Sequence, residues 1–185
     1  MGHAAGDMRV VIPKRIIILL SGIPATGKSE FGRYLARKRG FAHYDMECSP
    51  RGWPHPELKQ KWDTDVSAFI EEALKTHGRV ALDWGFPVSC VSFVRQLQAL
   101  GVRLIWFDGD IPAARKIFMQ RGGIDVKLFD KQVKEVKEAG FPDALHCMVI
   151  EALSARGAFL DGRQIEGLVF SRSNDITGDR GRAHR

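Results

Sequence analysis

With 185 residues, 44% of them hydrophobic and 27% charged, the chain has the size and composition of one globular domain, which excludes collagen-like, mucin-like and wholly disordered classes. The net charge of +6 points toward nucleic acid only until it is located. Arg9, Lys14 and Arg15 against Asp7, and four arginines against two aspartates in 171–185, put most of it in the two ends, so the basic balance is weak support for a nucleic-acid groove.

The opening basic residues precede an apolar run, Ile16 to Ala25, that has the look of a signal-peptide core. No small-x-small cleavage site follows it, and the run passes directly into Thr26-Gly27-Lys28-Ser29. Residues 1–13 are expected to be a flexible segment ahead of one domain spanning 14–170. Ile16 to Leu20 reads as a strand buried on both faces, and Lys28 to Arg39 as a helix closed by Gly40. Phe41 to Tyr44 is a second strand ending at Asp45. After a loop holding Pro50, Pro54 and Pro56, apolar residues from Leu58 through Trp62, Val66, Phe69 and Ala73 recur at helical spacing until Gly78.

Val80 to Leu82 is a third strand leading to Asp83, and Ser89 to Leu100 a helix with Val91, Val94, Leu97 and Leu100 on one face. Val102 to Phe107 is a fourth strand ending at Asp108. Two helices follow, Ile111 to Arg121 and Asp125 to Ala139, parted by Gly122-Gly123, and Cys147 to Leu153 is a fifth strand. Asp161 caps a last helix with Ile165, Leu168 and Val169 facing inward. The remaining 171–185, basic and nearly devoid of apolar residues, is expected to be a disordered tail. Strands alternating with helices predict an α/β fold: a mostly parallel sheet covered on both faces, with ligands at the carboxyl ends of the strands.

Gly22-Ile23-Pro24-Ala25-Thr26-Gly27-Lys28-Ser29 fits the GxxxxGK[ST] pattern between a strand and a helix, as the mechanics of a phosphate-binding P-loop require. The glycines let consecutive backbone N–H groups turn toward phosphate oxygens, the helix N-terminus adds partial positive charge, Lys28 reaches the β and γ phosphates, and the Ser29 hydroxyl ligates Mg²⁺. Guanine readers of the Ras type use NKxD, and the only asparagine here is Asn174, so ATP is the expected nucleotide.

A short P-loop strand, Asp45-Met46-Glu47 after the second strand, Asp83-Trp84-Gly85 after the third and an arginine-bearing helix after the fourth together resemble the small P-loop kinases. That group includes the shikimate, gluconate and nucleoside monophosphate kinases and the zeta-toxin and chloramphenicol phosphotransferase relatives. The resemblance implies a P-loop NTPase three-layer α/β/α sandwich with a five-stranded parallel sheet and a short lid. It also implies an ATP- and Mg²⁺-dependent kinase acting on a hydroxyl of a small molecule or nucleotide.

Within that resemblance Asp45 is the candidate base or ligand of the acceptor hydroxyl, with turn capping as its competing role. Glu47, two residues on, occupies the second place of a DxD-like pair. Asp83 resembles a Walker-B acid holding a Mg²⁺ water across from Ser29, and Gly85 lets a substrate approach the backbone. Asp108, with Asp110 beyond it, competes for the acid's role, although an aspartate there also suits a helix start. Arg115 and Arg121 stand where lid arginines act on the transferring phosphoryl. Arg51 and Trp53 lie in the segment that would bind the acceptor, and Trp84 and Phe86 could line its pocket or pack in the core.

Two other functions fit the same residues: an ATP-binding regulatory module without transfer, and a polynucleotide 5′-hydroxyl kinase drawing on the basic ends. The three cysteines, Cys48, Cys90 and Cys147, form no CxxC pair and read as free thiols, and no stretch reaches the roughly 18 to 20 apolar residues of a membrane helix. A cytoplasmic protein is expected.

Overall fold

A computed structural model describes residues 11–122 and 125–171. Five parallel strands, β1 (Ile16–Gly22), β2 (Ala42–Asp45), β3 (Arg79–Asp83), β4 (Arg103–Gly109) and β5 (Met148–Leu153), form one sheet in the order β2-β3-β1-β4-β5. The central β1 is the most apolar, as a strand covered on both faces must be. Alternation along the strands sends Ile17 and Leu19, Val80 and Leu82, and Leu104 and Trp106 to one face. Ile18 and Leu20, Ala81, and Ile105 and Phe107 go to the other.

The first face is covered by α3 (Val66–His77), α4 (Val91–Ala99), α5 (Ile111–Arg121) and α6 (Val126–Glu138), through Phe69, Val94, Leu97, Ala114 and Phe129. The second is covered by α1 (Lys28–Arg39) and α7 (Gly162–Ser171), through Phe31, Leu35, Ile165 and Val169. The result is the expected three-layer α/β/α sandwich. Chain order reverses direction across the sheet at β1, and in such sheets the ligand crevice lies beyond the strand carboxyl ends at that point.

The apolar stretch from Leu58 to Ala73 is not one helix. It divides into α2 (Lys59–Thr64) and α3, because the carboxylate of Asp65 accepts from the Ala68 N–H at 3.0 Å and caps a new helix. Leu168, expected to face inward, is exposed, while its neighbours Ile165 and Val169 carry the buried face of α7. Asp161 does cap that helix, in a reciprocal box with Gln164, each bond 2.8 Å. Ile12 and Pro13 carbonyls accept from the Arg79 guanidinium at 3.3 and 3.0 Å. Residues 1–10 and 172–185, on which most of the flexible-segment and tail expectations fall, lie outside the described residues. Among the described residues no helix is long and apolar enough to cross a membrane.

Candidate functional site

The segment from Gly22 to Ser29 joins β1 to α1 as the pattern requires. Gly22 has φ +128°, and a Cβ there would collide with the backbone carbonyl of Phe107, to whose oxygen the Ile23 N–H donates at 3.0 Å. The first glycine is thus fixed both by its backbone conformation and by the close approach of β4. Gly27 and Ala25 also take positive φ, 99° and 63°. Thr26 Oγ1 donates to the Ile23 carbonyl at 2.7 Å, and Lys28 Nζ donates to the carbonyls of Ile23 at 2.9 Å and Gly22 at 3.3 Å. The loop is therefore held in shape by two of its own side chains.

Lys28 is buried, and burial pulls its ammonium below the usual lysine range. Asp83 and then Glu47 oppose that shift by attraction, and Arg121 reinforces it by repulsion. These four charges belong to β3, the loop after β2, α1 and the end of α5, so the fold gathers them from four places in the sequence.

Three of them, Lys28, Glu47 and Arg121, border a cavity of about 740 Å³ lined by Pro24 to Phe31, with Asp45 and Gly122 also in its wall, while Asp83 acts on Lys28 from outside that lining. Phe118 and the exposed ring of Phe159 also face it. Neither aromatic carries a motif, and a lone phenylalanine in the β5–α7 loop gives no signal of a binding role until the fold brings it beside Gly27.

Asp45 lines the cavity, yet its Oδ1 accepts from the backbone N–H groups of Glu47 at 3.0 Å and Cys48 at 3.2 Å. Its carbonyl accepts from the Trp53 indole at 2.9 Å. Both acceptors brace the loop that follows β2, the turn-capping role weighed for it. Trp53 is buried against Tyr44 and Phe69, so it anchors this loop rather than offering a surface to an acceptor. Glu47 is free of such duty, lies against Gly85 and acts on Lys28. Trp84 and Phe86 join an aromatic cluster with Trp62, Phe93 and Trp106.

Asp83 is buried at the end of β3, its Oδ2 without a hydrogen-bond partner, and it is the strongest charge acting on Lys28. A buried carboxylate with no completed hydrogen bond on Oδ2, whose other oxygen is left for a ligand, together with Ser29 in the wall of the adjoining cavity, fits a hard divalent cation. Its competitors are occupied elsewhere: Asp110 caps α5 through the Ala113 N–H at 2.9 Å, and Asp108 Oδ1 accepts from Gly109 N–H at 2.8 Å. The two arginines separate as well. Arg121 lines the cavity, whereas Arg115 is held bidentately by Asp130 of α6. Gly123 and Ile124, part of the expected lid link, lie outside the described residues.

No protein-family profile matches the chain, and no curated protein matches it by sequence. Solved structures do match. A gluconokinase from Sinorhizobium meliloti 1021 superposes with a TM-score of 0.55 at 16% identity, covering 86% of this chain and 92% of its own. The chain has the fold of the small P-loop kinases. A shikimate kinase from Bacteroides thetaiotaomicron gives a TM-score of 0.52 at 15% identity over 87% of this chain and 97% of that one. A sugar kinase from Janibacter sp. HTCC2649 gives 0.55 at 16% identity over 90% and 99%. The superpositions span nearly the whole length of these neighbours.

Proposed function

We propose that this protein is an ATP- and Mg²⁺-dependent kinase that transfers the γ-phosphoryl group to a hydroxyl of a small molecule. The observation that carries the reading is the convergence of Pro24 to Ser29, Glu47 and Arg121 on one cavity around buried Lys28, with Asp83 the strongest charge acting on that lysine. The gluconate and shikimate kinases among the fold neighbours support it.

In this reading the loop amides and the α1 N-terminus hold the nucleotide phosphates, and Lys28 leaves the Ile23 and Gly22 carbonyls to pair with them. Ser29 and Asp83 would hold Mg²⁺, which supplies charge neutralisation across the phosphate oxygens. Glu47 takes the proton from the acceptor hydroxyl, because its carboxylate is not tied to the backbone, while Asp45 fixes the loop that presents it. Arg121 offsets charge on the transferring group, and Phe118 and Phe159 offer the base two aromatic surfaces.

ATP consumption with Mg²⁺, measured against pooled sugars, sugar acids, nucleosides and oligonucleotides, tests the assignment. Turnover stimulated by one small-molecule pool and abolished in Lys28→Ala is expected. ATP binding with no pool stimulating turnover would make the chain a nucleotide-binding module instead, and stimulation by oligonucleotides alone would make it a polynucleotide kinase.

A further inference from the structure

The strand order sets β2 beside β3 with His43 paired to Ala81 and Asp45 to Asp83. Side chains alternate along each strand, so His43, Ala81 and Asp83 share the face that α1 covers, and His43 and Asp83 are diagonal neighbours across the ladder. The small side chain of Ala81 leaves the imidazole room to lean toward the strand end. His43 Nε2 comes to 3.4 Å from Asp83 Oδ2. Both atoms are buried, and neither completes a hydrogen bond with any other group.

Two orphaned polar atoms facing each other in a protein interior are uncommon, because each forgoes its hydration without a full replacement. The seat is also built from above. A Cβ at Gly32, in the middle of α1, would lie 2.5 Å from His43 Nε2 and 2.7 Å from its Cδ2. Glycine is among the poorest residues for a helix interior, yet only glycine leaves the imidazole in place here.

We propose that His43 is a positioning residue for Asp83: its Nε2–H turns onto Oδ2 when the cation site is filled, fixing the carboxylate so that its other oxygen faces the cation's water shell. The inference rests on the reading of Asp83 as the acid that serves Mg²⁺. Partners behind a metal-binding group orient it and raise its affinity, and removing them typically costs 10- to 100-fold in metal affinity or activity. Here the link runs through one neighbour and a water, so the lower end of that range is expected. Gly32 belongs to the same device, since it provides the imidazole's space.

The test is the affinity of Mn²⁺ for the full-length protein saturated with a non-hydrolysable ATP analogue, followed by electron paramagnetic resonance. Mg²⁺ activation of turnover and thermal melting are measured in parallel. His43→Leu is expected to weaken Mn²⁺ binding about tenfold. His43→Gln, which keeps a side-chain N–H within reach, restores most of it. Gly32→Ala should weaken Mn²⁺ binding as well, although alanine favours the helix. Affinity for the metal-free nucleotide should stay the same in all three. If His43→Leu binds Mn²⁺ as tightly as the parent while Asp83→Asn does not, His43 only fills space and the proposal is overturned. If Asp83→Asn leaves Mn²⁺ affinity unchanged, the reading of Asp83 fails first and this proposal with it. A loss in His43→Leu that His43→Gln does not restore also overturns it, because packing rather than the N–H would then be responsible.

Discussion

Arg115 and Asp130 form a bidentate pair, Nε to Oδ1 at 2.7 Å and Nη2 to Oδ2 at 2.9 Å, which ties α5 to α6 while leaving Arg121 to the cavity six residues later. The hydrogen bonds that Arg115 donates to Asp130 hold the guanidinium in its charged form and push the aspartate's carboxyl below its usual range. An arginine so engaged is a structural tie between helices. Arg121→Ala is therefore expected to lower kcat about a hundredfold, the scale of losing one group that stabilises developing charge. Arg115→Ala should leave kcat within about threefold and act on the melting temperature instead. Steady-state kinetics and thermal melts on the two variants check this, and the opposite ordering would return Arg115 to the reaction.

In the proposed reading the two carboxylates after β2 divide their work, and a cysteine between them and Trp53 tests the division. Cys48 is exposed, yet its thiol is held above the usual cysteine range, first by the negative charge of Asp45. Cys147 is pushed up to about 11 by burial and does not compete near pH 8. Asp45→Asn is expected to move the pH profile of Cys48 alkylation to lower pH, followed by mass spectrometry of the labelled peptide. Glu47→Gln should lower kcat by 10² to 10⁴, the usual range for a general base, without changing ATP affinity as much. If Asp45→Asn instead produced the larger loss in kcat with a normal alkylation profile, Asp45 would be the base and Glu47 its support.

The five strands, the two covered faces and the turn from Gly22 to Ser29 between β1 and α1 were legible because their signals are local: runs of β-branched residues, a fixed glycine spacing, a helix beginning at Lys28; the order of the strands was not among them. The division of α2 from α3 was not, because the apolar period continues through Asp65 and only the capping bond to Ala68 shows that the helix restarts. The site was legible in part. Asp83 was readable as an acid after a strand, and Asp110 as a helix cap. The fate of Arg115 and the surroundings of Phe118, Phe159 and His43 all depend on residues distant in sequence. Asp130 decides Arg115, the β2–β3 register decides His43, and the approach of the β5–α7 loop to Gly27 decides Phe159.

Loss of the cradle has a sharper expectation at Gly22 than at any other loop position. Alanine there would need φ near +128°, which L side chains rarely adopt, and its methyl would overlap the Phe107 carbonyl. Gly22→Ala must therefore displace β4 from the end of β1, breaking the Ile23 to Phe107 hydrogen bond. Nucleotide binding measured by calorimetry should be undetectable, with a lowered melting temperature. Lys28→Ala, by contrast, should fold normally and lose turnover. Retention of nucleotide affinity by Gly22→Ala would mean that this loop does not hold phosphate.

Alkaline titration offers a test that needs no substrate, because the chain has only two tyrosines. Burial raises the Tyr44 hydroxyl to about 12, and it raises Tyr34 as well, aided by the 2.6 Å bond that Tyr34 donates to the buried carboxylate of Glu166. Arg39 neutralises that carboxylate, so α1 and α7 are joined by a three-residue network. For both tyrosines the folded state holds its proton more tightly than the unfolded state. Their contribution to stability is fully present below about pH 10, the unfolded value, and is lost as the pH rises through the raised folded values. Absorbance at the tyrosinate band should therefore show ionisation displaced upward from pH 10 in the folded protein, with Tyr44 the last to titrate, near pH 12. Tyr34→Phe should cost about 1 to 2 kcal/mol at neutral pH, measured by denaturant unfolding, since it leaves the Glu166 carboxylate with Arg39 alone. A tyrosine titrating normally near pH 10 in the folded protein that disappears in Tyr34→Phe would show that Tyr34 is not bound to Glu166.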